Sequence, residues 1–204
     1  MTPQPPVTFS DRARHLFSGI LQWAGMRMVR LGVHPDTITI VGLGIVAIAA
    51  VVIGMGAFQW GGVILLFSLP LDALDGATAR AMKRVGNFGA ILDSTLDRYA
   101  DGLIFGALMI YFAGSAAPDR QLGMGLALAS LIGSFVVSYV RARAGEAGIS
   151  VKNGWFTRFE RVVVLLSALL IPPLFWVGLG VLAVGTNMTA VQRLWTVYRH
   201  LKEV

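Results

Sequence analysis

Five aspartates and four basic residues stand within the 32 positions "LDALDGATARAMKRVGNFGAILDSTLDRYADG", residues 71–102. Asp72 and Asp75 are three apart, and Asp93 and Asp97 four apart, so on helices each pair shares a face. The intervening stretch carries basic residues with Gly86 and Gly89, which predict a turn between antiparallel helices and set the two pairs face to face. Carboxylates gathered beside apolar segments repel one another and are costly to keep ionised, so something cationic must sit among them. With no cysteine in the chain, the donors are oxygens, which suit Mg²⁺ or Mn²⁺. Two such ions about 3.5–4 Å apart commonly clamp a phosphoryl group during its displacement. The competing arrangement is a salt-bridge network with Arg80, Lys83, Arg84 and Arg98; matched helical spacing on two successive segments favours the metal site. Asp101, four beyond Asp97, lies deeper in its segment and is expected to support packing or the site rather than to ligate.

The elements that must position these residues are apolar. Of 204 residues, 55% are hydrophobic and 14% charged, with a mean hydropathy of +0.69. This is the composition of a membrane protein. The predicted fold is all-α and integral to the membrane, with six transmembrane helices at about 37–58, 60–82, 88–113, 122–144, 157–171 and 174–198, each near the length that crosses a hydrocarbon core. The last two flank Pro172-Pro173. Residues 1–36 form an N-terminal arm in which 10–32 read as an amphipathic interfacial helix with Ser10 or Asp11 near its N-cap, and residues 37–204 form the six-helix domain. The opening "MTPQPPVTFSDRARHLF" lacks the apolar core and cleavage site of a signal peptide, so the N-terminus is expected on the cytoplasmic side.

From that start, six spans place sixteen of the seventeen Lys and Arg residues on the cytoplasmic side and only Arg120 opposite, the partition expected of a cytoplasmic-membrane protein. The net charge of +6 is thereby accounted for by orientation and attraction to anionic lipid, with no nucleic-acid partner required. The aspartates fall at the cytoplasmic face.

Residues 72–97 read D-x-x-D-G-x-x-A-R, eight residues, then G-x-x-x-D-x-x-x-D, filled by Asp72, Asp75, Gly76, Ala79, Arg80, Gly89, Asp93 and Asp97. This resembles the signature of the CDP-alcohol phosphatidyltransferases. The resemblance implies a six-helix membrane enzyme, usually a homodimer. Such an enzyme uses divalent metal, here Mg²⁺ or Mn²⁺ with two ions expected, to move a phosphatidyl group from a CDP-linked lipid to an alcohol, releasing CMP. It implies metal ligation by Asp72, Asp75, Asp93 and Asp97, with Asp93 and Asp97 at the catalytic centre and Asp97 able to take the acceptor proton. The small Gly76 and Ala79 leave room for the nucleotide, and Arg80 is suited to phosphate. "HPDTIT", residues 34–39, is similar to the family's entry to the first span; Asp36 and Thr39 either line the nucleotide pocket or cap the helix.

Three arginine-bearing segments, "SYVRARAGEAGI", "FTRFERVVV" and "VQRLWTVY", are similar to the phosphatidylinositol-phosphate synthase branch. In that branch, residues matching Arg141, Arg161 and Arg193 grip the phosphate of inositol 1-phosphate (also numbered 3-phosphate). Arg141 replaces an expected lysine, and Thr157 and Phe159 stand where glutamate and proline are expected. Arg143 and Arg158 are weaker candidates. The donor is then CDP-diacylglycerol or the ether-linked CDP-archaeol, and the acceptor a phosphorylated alcohol, with glycerol 3-phosphate as the alternative to inositol phosphate. More distant readings are a membrane prenyltransferase, whose two acidic motifs are separated in sequence, and a divalent-cation transporter, which leaves Gly76, Ala79 and the arginines without a purpose.

Overall fold

The computed structural model describes residues 9–82, 87–151 and 154–202, and the side chains of 9–18 and Asn87 lie outside that description. Among the described residues, seven α-helices run in the order α1 Phe9–Arg30, α2 Pro35–Gly54, α3 Phe58–Ala81, α4 Asn87–Gly114, α5 Arg120–Glu146, α6 Arg158–Leu170 and α7 Phe175–Lys202, with a 3-10 turn at Pro172–Leu174. No strand occurs among the described residues.

Among the described residues, four stretches are long and apolar enough to cross a membrane: Pro35–Gly54, Phe58–Ala81, Arg120–Glu146 and Pro172–Lys202. The other two expected spans are not among them. α4 has ample length at 28 residues, but Asp93, Asp97, Arg98 and Asp101 interrupt its apolar run. α6 has 13 residues, about 20 Å at 1.5 Å per residue, against a hydrocarbon core of about 30 Å.

Helix ends follow local chemistry. α2 begins on Pro35, whose missing N–H is no loss in a first turn. It ends through Gly56, at φ 86°, with the Ala57 N–H reaching the Val52 carbonyl at 3.1 Å. α5 closes in the same way at Gly148, φ 74°, where the Ile149 N–H reaches Ala144 O at 2.9 Å. Both are Schellman ends, which need a left-handed residue. Ser10 and Asp11 fall inside the first turn of α1 rather than at its cap, and Gly89 lies inside α4 rather than in a turn; Gly86 lies outside the described residues.

Contacts divide the chain into two units, residues 1–42 with 68–96, and residues 43–67 with 97–204. In the first, α1 approaches α3 so closely that a Cβ on Gly25 would stand 2.9 Å from the Ala77 carbonyl carbon and 3.0 Å from Thr78 N. In the second, α5 and α7 interlock. A Cβ on Gly133 would meet Thr186 Oγ1 at 2.0 Å, and Asn187 Nδ2 donates to Ala129 O at 2.9 Å and to Ala183 O at 2.8 Å. Small residues that let helix backbones touch, reinforced by an interhelical amide, are a packing solution suited to lipid, where burial of apolar surface gives no preference for one partner over another. Phe58, Tyr111, Phe112, Phe175 and Trp176 stack and tilt against one another elsewhere in this unit.

Candidate active site

In the first unit the site is built around Asp75. Its side chain is buried, in the last two turns of α3. Thr39 Oγ1 donates to Asp75 Oδ2 at 2.8 Å, and the Gly76 N–H to Oδ1 at 2.5 Å. Thr39 also lies 3.2 Å from Pro35 O, so it acts as a brace between α2 and α3 rather than as a helix cap. Asp93 and Asp72 are both within electrostatic range of the Asp75 carboxyl, so these three signature aspartates share one region. Asp36 pairs with His34 Nδ1 at 3.3 Å, and a Cβ on Gly89 would lie 3.7 Å from Asp36 Oδ1. Arg80 folds back over Gly76, where a Cβ would meet its Nη1 at 3.3 Å. The glycine therefore makes room for the guanidinium.

The second unit holds Asp97 and the arginines. Asp97 Oδ1 accepts from Arg158 Nη2 at 2.6 Å, and Oδ2 lies 3.8 Å from Arg98 Nη2. The ion pair with Arg98 belongs to the salt-bridge alternative; that with Arg158 was not anticipated as a partner. Arg161 is buried and lies 3.7 Å from Asp101. Arg193, also buried, donates from Nη1 to Val137 O at 2.9 Å. Arg141 is exposed and, like Arg161, lies within electrostatic range of Arg193.

Local chemistry explains how these side chains are held. The Phe156 N–H donates to Thr189 Oγ1 and the Trp155 N–H to Gln192 Oε1, each at 3.2 Å, docking the loop before α6 onto α7. Glu160 reaches back to the Thr157 N–H at 2.8 Å and to the Thr157 hydroxyl. A carboxylate closing onto the helix start stabilises it, and Thr157, a departure from the expected glutamate, thereby begins the helix whose first turn carries Arg158 and Arg161. Gly154 lies against α7; a Cβ there would stand 2.7 Å from Thr189 Cγ2 and 3.4 Å from Arg193 Nε. Gly154 and Thr189 are supports that motif reading missed, because the partners just named are 33 or more residues away in sequence and no local pattern marks them.

The donor set fits a hard divalent cation: oxygens only, with Thr39 fixing one carboxylate's orientation. Among the described residues, however, no three acidic or histidine side chains are gathered at metal-holding distance. The carboxylates instead engage a hydroxyl, a backbone N–H and arginines.

These observations define an all-helical protein with apolar spans that gathers aspartates in one unit and guanidinium groups in the other. The CDP-alcohol phosphatidyltransferase family matches residues 32–195, and the chain belongs to that family. It is similar to the phosphatidylinositol phosphate synthase of Streptomyces avermitilis, 36% identical over 208 residues that cover 94% of this chain and 83% of that protein. The corresponding protein of Mycobacterium tuberculosis is 35% identical over 195 residues, covering 91% of this chain and 89% of that one. The crystal structure of the Mycobacterium tuberculosis phosphatidylinositol phosphate synthase with CDP-DAG bound superposes with a TM-score of 0.81 at 34% identity, covering 88% of this chain and 94% of that one. The same protein in complex with manganese and citrate gives a TM-score of 0.81 at 34% identity, with 87% and 88% covered.

Proposed function

We propose that this enzyme transfers the phosphatidyl group of CDP-diacylglycerol to a hydroxyl of inositol 1-phosphate, releasing CMP and forming phosphatidylinositol phosphate. The observation that carries the acceptor assignment is the excess of guanidinium in the second unit. Arg98, Arg158 and Arg161 gather around the carboxylates of Asp97 and Asp101, and Arg193 lies within electrostatic range of Arg141 and Arg161. Like charges held together, two of them buried, call for an anion, and forked guanidinium contacts suit a phosphate. The likeness to phosphatidylinositol phosphate synthases over nearly the whole chain supports the same acceptor.

Asp72, Asp75, Asp93 and Asp97 are the residues that would hold Mg²⁺ or Mn²⁺, two ions in all; when bound, these neutralise charge on the diphosphate and on the transferring phosphoryl oxygens. The chain's own groups do the rest. Gly76 and Ala79 admit the nucleotide, and Arg80 donates to phosphate; Asp36 and Thr39 line the cytidine end. Arg141, Arg161 and Arg193 fix the acceptor by its phosphate. Asp97, with Asp93 beside it on α4, takes the proton as the acceptor oxygen bonds to phosphorus and the bond from phosphorus to the CMP oxygen breaks.

In this reading α4 and α6 complete six spans, the aspartates being tolerated in α4 because they face the site rather than lipid. The active site lies on the cytoplasmic side of the cytoplasmic membrane, and the chain works as a homodimer. Residues 1–36 form the arm whose α1 lies in the interface. Ile20, Trp23 and Met26 are exposed at helical spacing, and Arg27 sits over the Trp23 ring at 5.3 Å, the residue types of an interfacial helix.

The test is CMP release by the purified protein with Mg²⁺ or Mn²⁺, offering CDP-diacylglycerol or CDP-archaeol as donor and inositol 1-phosphate, glycerol 3-phosphate or serine as acceptor. Stimulation by inositol 1-phosphate is expected. Stimulation by glycerol 3-phosphate alone would replace the acceptor, and turnover that survives exhaustive chelation would sink the metal assignment.

A further inference from the structure

Asp101 lies outside the signature, yet it stands at the centre of the arginine group. Its Oδ2 is 3.6 Å from Arg98 Nε and 3.7 Å from Arg161 Nη1. The Arg161 side chain is only 9% exposed. Arg161 Nε and Nη1, Arg98 Nε and Asp101 Oδ2 are all buried and all without a hydrogen-bond partner. Such separations allow charge attraction but exceed hydrogen-bonding distance. Asp101 therefore holds these guanidiniums without consuming their N–H groups.

Buried N–H donors are nearly always satisfied in a working protein, so three on two neighbouring arginines indicate an acceptor that completes them. Asp97 does not supply it, since its Oδ1 is engaged with Arg158 at 2.6 Å. We propose that Asp101 is a positioning residue: it keeps Arg161 and Arg98 in place by charge while leaving their N–H groups open for the phosphate of the acceptor. This rests on the acceptor reading above and extends it to Arg98 and to an aspartate outside the signature. Asp101 is the largest counter-charge that acts on Arg161 against the repulsion from Arg98 and Arg158.

The test uses the full chain and steady-state CMP release, with KM for acceptor and for CDP-diacylglycerol measured separately in wild type, Asp101→Asn, Asp101→Glu, Arg161→Ala and the double variant Asp101→Asn/Arg161→Ala. Asp101→Asn is expected to raise the acceptor KM about tenfold with the donor KM within about twofold, Asp101→Glu to recover part of the loss, and the double variant to be no worse than Arg161→Ala. An unchanged acceptor KM, an equal rise in both KM values, or multiplying effects in the double variant overturn the proposal. Should Asp101→Asn fail to fold, Asp101→Glu decides: a shift confined to the acceptor supports it, and none overturns it. If wild type responds to glycerol 3-phosphate but not inositol 1-phosphate, the acceptor named above falls while the same comparison with glycerol 3-phosphate still decides for or against Asp101. If neither acceptor stimulates CMP release, both fall.

Discussion

Thr39 on α2 and Asp75 on α3 are joined by a 2.8 Å hydrogen bond, hydroxyl to carboxylate, across 36 residues of sequence. The bond selects one orientation of a carboxylate whose other oxygen already accepts from the Gly76 N–H. Hydrogen bonds to a charged group contribute about 1.5–3 kcal/mol. Thr39→Val keeps the shape and removes the donor. It should raise the Mn²⁺ concentration for half-maximal activity about tenfold or more, whereas Thr39→Ser should stay near wild type. A metal titration of activity checks this, and a Thr39→Val curve that overlays wild type would free Asp75 from any dependence on the brace.

Ala79 is half-buried on α3, one residue before Arg80. An indole at that position would fill the space assigned to the nucleotide. Ala79→Trp should abolish CDP-diacylglycerol binding, read by loss of CDP-lipid-dependent thermal stabilisation; full activity in that variant would contradict the pocket.

Asp97→Asn removes the proton acceptor while keeping the side chain's size. Turnover should fall by about 10²–10⁴-fold with CDP-diacylglycerol still bound, as measured by CMP release alongside direct lipid binding. A lively variant removes Asp97 from proton transfer and leaves its ion pair with Arg158 as its main role.

The α5 and α7 pair makes a prediction about stability rather than activity. Since a Cβ on Gly133 would lie 2.0 Å from Thr186 Oγ1 and 2.8 Å from Asn187 Nδ2, Gly133→Ala must spread the helices or displace Asn187 from the Ala129 carbonyl. Overpacking of this kind costs about 1–3 kcal/mol. Thermal unfolding in detergent should show a clear drop, and pairing the change with Thr186→Ala, which removes the nearest colliding atom, Oγ1, should recover part of it.

Much of this was legible in the sequence, for different reasons at different places. Asp72, Asp75, Asp93 and Asp97 announce themselves because helical periodicity converts spacing into a shared face, and three of them do fall in one region. The helices were legible from apolar runs, but the span count was not equally so. α4 carries its charges inside the run, and α6 ends after 13 residues at Leu170, because the backbone turns at Ile171 before the proline pair. What could not be read were long-range supports. The partners of Thr39, Gly154 and Asp101 are separated from them by 36, 35 or 39, and 60 residues respectively, and only packing reveals which distant residue a side chain meets. Gly148 illustrates a subtler loss: it looks like one more small residue for helix contact but serves to end α5.

The shared family region begins at residue 32, yet Gly25 lies almost atom to atom with Ala77 and Thr78, immediately after Gly76. A chain trimmed back to the common portion would keep every motif and still lose a wall of its signature helix. The leading segment is thus masonry for the turn that carries the signature, however little its own letters resemble the rest.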